Sequence, residues 1–219
     1  MNLKIFTVGS FFTNCYLVWC DESRDATVID PGFERQEESN KVLAILKRND
    51  LRVKFIINTH GHPDHTCGNG IIKRVTGAPI LIHEFDAHLL NEANPPSAEL
   101  IEFRSIPPTA DRFLDEDHTI KFGKVVLRVL YTPGHSPGSI SLVGEECVFT
   151  GDTLFAGSIG RVDLLGGSGA KMMLSLREKL MTLPDDYIIY PGHGPKSTIG
   201  DEKRSNPFLQ RNFDFSFLG

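Results

Sequence analysis

Thr59-His60-Gly61-His62-Pro63-Asp64-His65-Thr66-Cys67-Gly68-Asn69-Gly70 follows directly on the apolar run Val53 to Ile57. Three histidines and one aspartate fall between positions 60 and 65. His60 and His62 are two apart, so an extended segment points both to one side. Pro63 disfavours helix at His62 and pushes it toward extended or turn geometry. Asp64 and His65 then come from a turn that opens a helix. One short loop thus presents imidazoles and a carboxylate in two directions, the geometry needed to hold one metal ion or two side by side. A lone histidine at a strand end is usually a satisfied structural residue. Four ligand-type residues on one loop read differently.

Three further loops have the same form. Tyr131-Thr-Pro-Gly-His135-Ser-Pro-Gly138 follows the strand pattern Val125 to Leu130. Gly151-Asp152-Thr-Leu-Phe155 follows Val148 to Thr150, and Pro191-Gly-His193-Gly-Pro195 follows Ile188 to Tyr190. Each is a short β-type run ending in a Gly-rich turn with one ligand-type residue. Four strands ending at one rim would bring the loops together. Five of the eight histidines lie in these loops, which a scattered surface distribution would not produce. Seven ligand-type residues suit two metals sharing a carboxylate, whereas a single closed zinc site needs four.

Bulk properties set limits on partners. The 219 residues suit one domain or a compact pair of similar halves, and 40% hydrophobic with 23% charged residues is ordinary for a globular chain. The net charge is −5, the sequence pI about 5.9, and no Lys/Arg block exceeds a pair, so no nucleic-acid surface is expected. No apolar run approaches a membrane span, and the N-terminus lacks the apolar stretch of a secretory signal; the expected location is the cytoplasm. Cys15, Cys20, Cys67 and Cys147 form no CxxC pair and are expected as thiols. Cys67 reads as a small buried packing residue, the alternative being a thiol near enough to the site to be oxidised.

Strands are expected at Leu3 to Val8, Cys15 to Cys20 and Ala26 to Ile29, the last ending in the turn Asp30-Pro-Gly. Glu34 to Asn49 reads as a helix with Val42, Ile45 and Leu46 on one face. Arg52 to Asn58 is a strand, Ile71 to Val75 a helix, Ala78 to Ile82 a strand and Glu84 to Glu92 a short helix. Two proline pairs, Pro95-Pro96 and Pro107-Pro108, mark 84–118 as a surface excursion, either pocket-shaping or plain connection. The second half repeats the theme, with strands at Lys124 to Tyr131, Ser139 to Val143 and Glu146 to Thr150. Ser168 caps a helix from Ala170 to Leu183 that buries Met173, Leu176 and Leu180, and Tyr187 to Tyr190 is the last strand. Two sheets packed face to face with helices outside would bury both sets. The tail Phe213-Asp-Phe215-Ser-Phe217 alternates and packs on its own domain or on a second copy, leaving monomer or homodimer open.

The motif Thr59-His-Gly-His-Pro-Asp-His65, with His135, Asp152 and His193 in order, resembles the metallo-β-lactamase superfamily over nearly the whole chain. The resemblance implies an α+β fold, the αββα sandwich, as a single domain over residues 1–219. Within the superfamily, Gly151-Asp-Thr-Leu-Phe155, Gly160-Arg161, Tyr190-Pro-Gly-His-Gly-Pro195 and Asn206-Pro-Phe208-Leu209 resemble the single-domain bacterial glyoxalase II type. Two-domain enzymes of that type add a C-terminal helical substrate-binding domain; here 26 residues follow His193, so a weaker grip on glutathione is expected. The resemblance implies that His60, His62 and His135 hold one metal, that Asp64, His65 and His193 hold a second, and that Asp152 bridges them. It also implies that Arg161 anchors an acidic end of the substrate, as a guanidinium grips a carboxylate in two parallel hydrogen bonds. Asn14 and Asp30 are candidates for support behind the ligands.

The implied chemistry is hydrolysis of a small-molecule thioester, such as a glutathione conjugate. Two divalent ions, zinc first, with iron or manganese compatible with the same imidazole and carboxylate set, would lower the pKa of a shared water toward about 7. Asp64 would relay its proton, and no serine or cysteine nucleophile is required. The alternatives are a persulfide dioxygenase of the same superfamily, using one iron on His60, His135 and Asp152, and a lactonase sharing the same ligand set. His83, His88 and His118 fit no motif and read as structural.

Overall fold

The structure, a computed structural model, describes residues 1–91 and 108–210. The first sheet contains β1 (Asn2–Val8), β2 (Thr13–Trp19), β3 (Asp25–Ile29), β4 (Arg52–Ile57), β5 (Ile80–His83) and β6 (Arg112–Leu114), in that spatial order. β1, β2 and β3 pair antiparallel, and β3 to β6 pair parallel. Parallel neighbours need a crossover. α1 (Gln36–Arg48) supplies it between β3 and β4, and α2 (Pro63–Thr66) with α3 (Asn69–Thr76) supplies it between β4 and β5. α4 (Glu84–Ala87) and one 3₁₀ turn, His88–Asn91, follow β5.

The second sheet has the order β14 (Ser197–Thr198), β13 (Ile188–Pro191), β10 (Cys147–Gly151), β9 (Ile140–Val143), β8 (Val125–Tyr131), β7 (Thr119–Phe122). Only β10 and β13 pair parallel; the rest are antiparallel. β11 (Leu154–Phe155) and β12 (Ser158–Ile159) form a small hairpin after β10. α5 (Gly169–Leu174) leads through a π turn, Ser175–Lys179, and a 3₁₀ turn, Leu180–Thr182, toward β13, and α6 (Ile199–Ser205) follows β14.

Alternation along the strands builds the layers. Cys15 and Leu17 of β2 pack in one core with Val42 and Leu46 of α1 and Ile72 of α3. Tyr16 and Val18, one position along, face the other sheet and meet Leu127, Leu142 and Phe149. In β10, Val148 turns outward to Met172 and Leu176, while Phe149 turns inward. A period of two with both faces covered requires a helix layer, two sheets and a second helix layer. This is the αββα sandwich expected from the sequence. Each fully buried large side chain contributes roughly 1.5–3 kcal/mol.

The expected strands and helices are present, with ends shifted by at most two residues apart from the two helices described next. The single helix expected over Ala170 to Leu183 is three helical types in succession. Ser168 caps it by accepting from Lys171 N, and Met173, Leu176 and Leu180 are buried as expected. Its π turn begins at Ser175, whose hydroxyl donates to Pro133 O, two residues before His135. π turns recur beside functional sites. The helix expected over Glu84 to Glu92 tightens to 3₁₀ after Ala87. β6, β7, β11, β12 and β14 are strands of two to four residues that periodicity did not indicate. The Pro95-Pro96 pair and the phenylalanine-rich tail lie outside the described residues. No helix among the described residues is long and apolar enough to cross a membrane.

Candidate metal centre

β4 and β10 are central strands, and β8 and β13 run parallel to β10. Their C-terminal ends therefore share an edge of the sandwich. The loops leaving them carry His60 to His65, His135, Asp152 and His193, so one topological fact gathers residues spread over 134 positions. Asp30, at the end of β3, arrives at the same edge.

Among the described residues, three groups have ligand atoms within 4.8 Å of one another: His60, His62 and His135; Asp64, His65 and His193; and His60, His65 and Asp152. All seven ligand candidates from the sequence are included. Asp152 lies between the two trios, with Oδ1 3.4 Å from His65 Nε2 and Oδ2 3.5 Å from His135 Nε2 and 3.4 Å from His193 Nε2. Asp64 Oδ2 is 3.5 Å from His65 Nε2 and 3.3 Å from His193 Nε2.

The outer nitrogens reveal how the rings are set. His65 Nδ1 is 3.0 Å from Asp30 Oδ2, His135 Nδ1 is 2.8 Å from Arg161 O, and His193 Nδ1 is 2.9 Å from Phe11 O. Each partner accepts, so each Nδ1 carries a hydrogen and each Nε2 faces inward as the atom that would meet a cation. Thr59 Oγ1 donates to Asp30 Oδ2 at 2.7 Å and therefore accepts from His60 Nδ1 at 3.2 Å. His60 Nε2 is then a lone pair, and it is buried without a hydrogen-bond partner, as is Asp152 Oδ1. Facing nitrogens lie 2.8 Å apart between His135 Nε2 and His62 Nδ1, and 3.2 Å apart between His65 and His193. Lone pairs and carboxylate oxygens converging this closely require a proton or a cation among them. The outer oxygens holding each imidazole are the usual support of a metal-ligating histidine. The donor set, nitrogen and carboxylate oxygen without sulfur, fits zinc, iron or manganese.

Electrostatics divide the cluster. Burial pushes His60 well below the ordinary imidazole value and His62 down to about 4, helped by neighbouring rings. Burial acts downward on His65 too, but Asp64, Asp152 and Asp30 together overturn it and raise the pKa to about 9. For His193 the same opposition, resolved by Asp152 and Asp64, raises it to about 10. Burial alone would raise Asp64 and Asp152, yet the adjacent imidazoles hold both below the ordinary carboxylate value.

The backing residues are partly those expected. Asp30, 1% exposed, accepts from Thr59 N, Thr59 Oγ1 and His65 Nδ1. Asn14 Nδ2 donates to Pro191 O at 3.1 Å and Gly194 O at 2.8 Å, fixing both sides of His193. Thr13, which no motif indicated, donates to Asp64 Oδ2 at 3.1 Å. Gly192 is required by proximity: a Cβ there would lie 2.0 Å from Asp152 Oδ1. Cys67 is buried, with Sγ 3.2 Å from Phe33 O and its pKa raised by burial, as a packing residue should be. His83 caps α4, accepting from Phe85 N, and stacks on Tyr131 at 4.5 Å. Arg161 touches the cluster through its carbonyl. Its guanidinium is exposed and forked onto Asp163, with both contacts at 2.9 Å.

The family model described as the metallo-beta-lactamase superfamily matches residues 8–193. The chain belongs to this superfamily. The hydroxyacylglutathione hydrolase GloC of Haemophilus influenzae is 38% identical, covering 95% of this chain and 98% of its own. The human mitochondrial persulfide dioxygenase ETHE1 is 30% identical over 90% of this chain and 71% of its own. Among solved structures, the BLEG-1 B3 metallo-beta-lactamase has a TM-score of 0.87 at 33% identity, covering 95% and 99%. TTHA1623, crystallised in a di-iron-bound form, has a TM-score of 0.82 at 36% identity, covering 94% and 100%. The superfamily membership makes the chain an enzyme of the metallo-hydrolase fold, and its His/Asp cluster has the geometry to hold metal ions.

Proposed function

We propose that this protein is a two-metal thioester hydrolase of the glyoxalase II type, acting on S-acylglutathiones such as S-lactoylglutathione. The observation that carries the reading is Asp152, whose two oxygens lie within 3.5 Å of imidazoles from both trios. A one-metal site needs no carboxylate shared in this way. The 38% identity to GloC supports the substrate class. His60, His62 and His135 would hold one ion, Asp64, His65 and His193 the other, with Asp152 shared. Two such ions, zinc, iron or manganese, supply a water of lowered pKa and Lewis acidity at the carbonyl and leaving sulfur.

The chain's own residues do the rest. Asp64 and Asp152, both held ionised, are acceptors at neutral pH. Asp64 Oδ2, 17% exposed in its side chain and steadied by Thr13, accepts a hydrogen bond from the attacking water and orients it. Asp30, Arg161 O and Phe11 O keep the ligand lone pairs inward. The Phe155 ring lies 6.1 Å from the His193 ring, and Phe11 is exposed beside it, offering apolar surface to an acyl chain. Arg161 grips a substrate carboxylate by exchanging it for Asp163. An ion pair this exposed is screened by solvent and adds little, so the exchange costs little. The site serves a small molecule, with no nucleic-acid or membrane partner, in the cytoplasm.

The 30% identity to ETHE1 favours a second reading, a one-iron persulfide dioxygenase. Elemental analysis joined to a panel of thioesters, lactones, β-lactams and persulfides decides between them. Close to two ions per chain with thioester cleavage is the expected result. One iron per chain with oxygen consumption on a persulfide overturns it.

A further inference from the structure

Asp86 belongs to no ligand set and no motif in the sequence, yet it is fully buried at 0% exposure, on the four-residue helix α4. A buried carboxylate must be paired or fully hydrogen-bonded. Asp86 achieves this with donors from two separate loops. Oδ2 accepts from Gly61 N at 2.9 Å and from Ser136 Oγ at 2.6 Å. Oδ1 accepts from Gly138 N at 2.6 Å. Gly61 lies between His60 and His62, and Ser136 adjoins His135. Ser139 Oγ, 2.7 Å from Ser136 Oγ and 3.1 Å from Ser136 N, extends the network along the second loop.

A second, independent observation is steric. A Cβ on Gly61 would lie 2.7 Å from Asp86 O and 2.8 Å from Leu89 Cβ, and one on Gly138 would lie 2.6 Å from Asp86 Oδ1. Each loop therefore has a glycine where α4 docks against it. The three-histidine trio is built from these two loops alone. The other trio is supported elsewhere: Asp30 takes the His65 ring and Phe11 O takes the His193 ring.

We propose that Asp86 is the positioning residue of the three-histidine half of the centre, clamping the His60–His62 loop to the His135 loop so that their lone pairs meet at one ion. The proposal rests on the reading that the cluster holds metal. Two buried carboxylates then back the centre: Asp86 bonds the two loops of the three-histidine trio, while Asp30 takes the His65 ring directly and reaches His60 only through Thr59 Oγ1. Charge-assisted hydrogen bonds fix the clamp. Asparagine at position 86 keeps one acceptor and turns an amide N–H against a donor, so the loops separate while the volume stays the same.

The test is stepwise metal binding in Asp86→Asn, measured by Zn²⁺ and Co²⁺ titration against a competing chelator. It is repeated in His62→Ala and His193→Ala backgrounds, each of which disables one trio. Loss of an outer-sphere partner typically weakens metal affinity 10–100-fold. That loss is expected for the ion remaining in His193→Ala and not for the ion remaining in His62→Ala. The Co²⁺ absorption of the three-histidine site should shift as well. Ser136→Ala, which removes a single donor, should act in the same direction more weakly. Melting of the metal-free proteins gives the structural comparison. Equal weakening of both ions, or a lowered melting temperature with both affinities intact, overturns the positioning role. A wild-type protein that binds no metal overturns the metal reading along with this one, and the wild-type titration distinguishes that outcome from the first.

Discussion

Asp30→Asn is the perturbation that most sharply probes how the second trio is held. The wild-type carboxylate accepts three hydrogen bonds in a site 1% exposed: Thr59 N on Oδ1 at 2.8 Å, and Thr59 Oγ1 and His65 Nδ1 on Oδ2 at 2.7 and 3.0 Å. Asparagine is isosteric and its oxygen retains Thr59 N. Its NH₂ then faces two groups that were donating. The Thr59 hydroxyl can rotate to accept. His65 can respond only by moving its hydrogen from Nδ1 to Nε2, the atom that points toward His193 at 3.2 Å and Asp152 at 3.4 Å. The substitution thus places a hydrogen where a lone pair is needed. A hydrogen bond to a charged group contributes about 1.5–3 kcal/mol, so the fold should weaken by that amount and remain intact. Metal affinity at the Asp64, His65 and His193 position should fall roughly 10–100-fold, while the three-histidine position loses less, because His60 meets Asp30 only through Thr59 Oγ1. Chelator-competition titration resolves the two ions, and metal-free melting reads the fold. Unchanged binding of both ions would refute the tautomer argument, as would an equal loss at both.

Asp152→Ala should remove thioester hydrolysis and lower metal content together, while Cys67→Ala should only loosen packing. Retention of both ions and normal turnover in Asp152→Ala would show that the carboxylate is not shared. Arg161→Ala should raise KM for an acidic thioester with little change in kcat, and Asp163→Ala should lower it by releasing the guanidinium; if neither moves, Arg161 contributes only its carbonyl. The metal-free protein should lose stability in alkali. His65 and His193 have folded pKa values raised above 6.5, to about 9 and about 10. Their contribution is therefore complete below pH 6.5 and disappears as pH rises through those values. A melting temperature in the metal-free protein that is the same at pH 6 and pH 10.5 would contradict this.

The ligand loops were legible because they combine local signals: an apolar run, a Gly/Pro turn and a ligand-type side chain. Strand periodicity placed β2, β4, β8, β10 and β13, and the count of seven ligand candidates already suggested a shared carboxylate. The short strands β6, β7, β11, β12 and β14 left too few residues for a period of two to register. The π turn at Ser175 was invisible for a different reason, since Met173, Leu176 and Leu180 have the same spacing whichever helix type carries them.

Residue type and local pattern thus determined which side chains are ligand candidates and which face of each element is apolar, because both depend on near neighbours in the chain. The tertiary structure alone decided what stands behind the ligands. Asp30 is 35 residues from His65, and Asp86 is 25 from Gly61 and 52 from Gly138. In one dimension Asp86 looks like any other aspartate, and Asp30, in the turn after Ile29, is a candidate for support with no partner named. They become functional only where the ends of β3 and β4 and the docking of α4 bring a buried carboxylate against unsatisfied donors, and burial makes their pairing obligatory. The same holds for Arg161. Its side chain attracted attention in the sequence, while in the folded protein its carbonyl sets the His135 ring, because main-chain geometry follows from packing and not from side-chain identity.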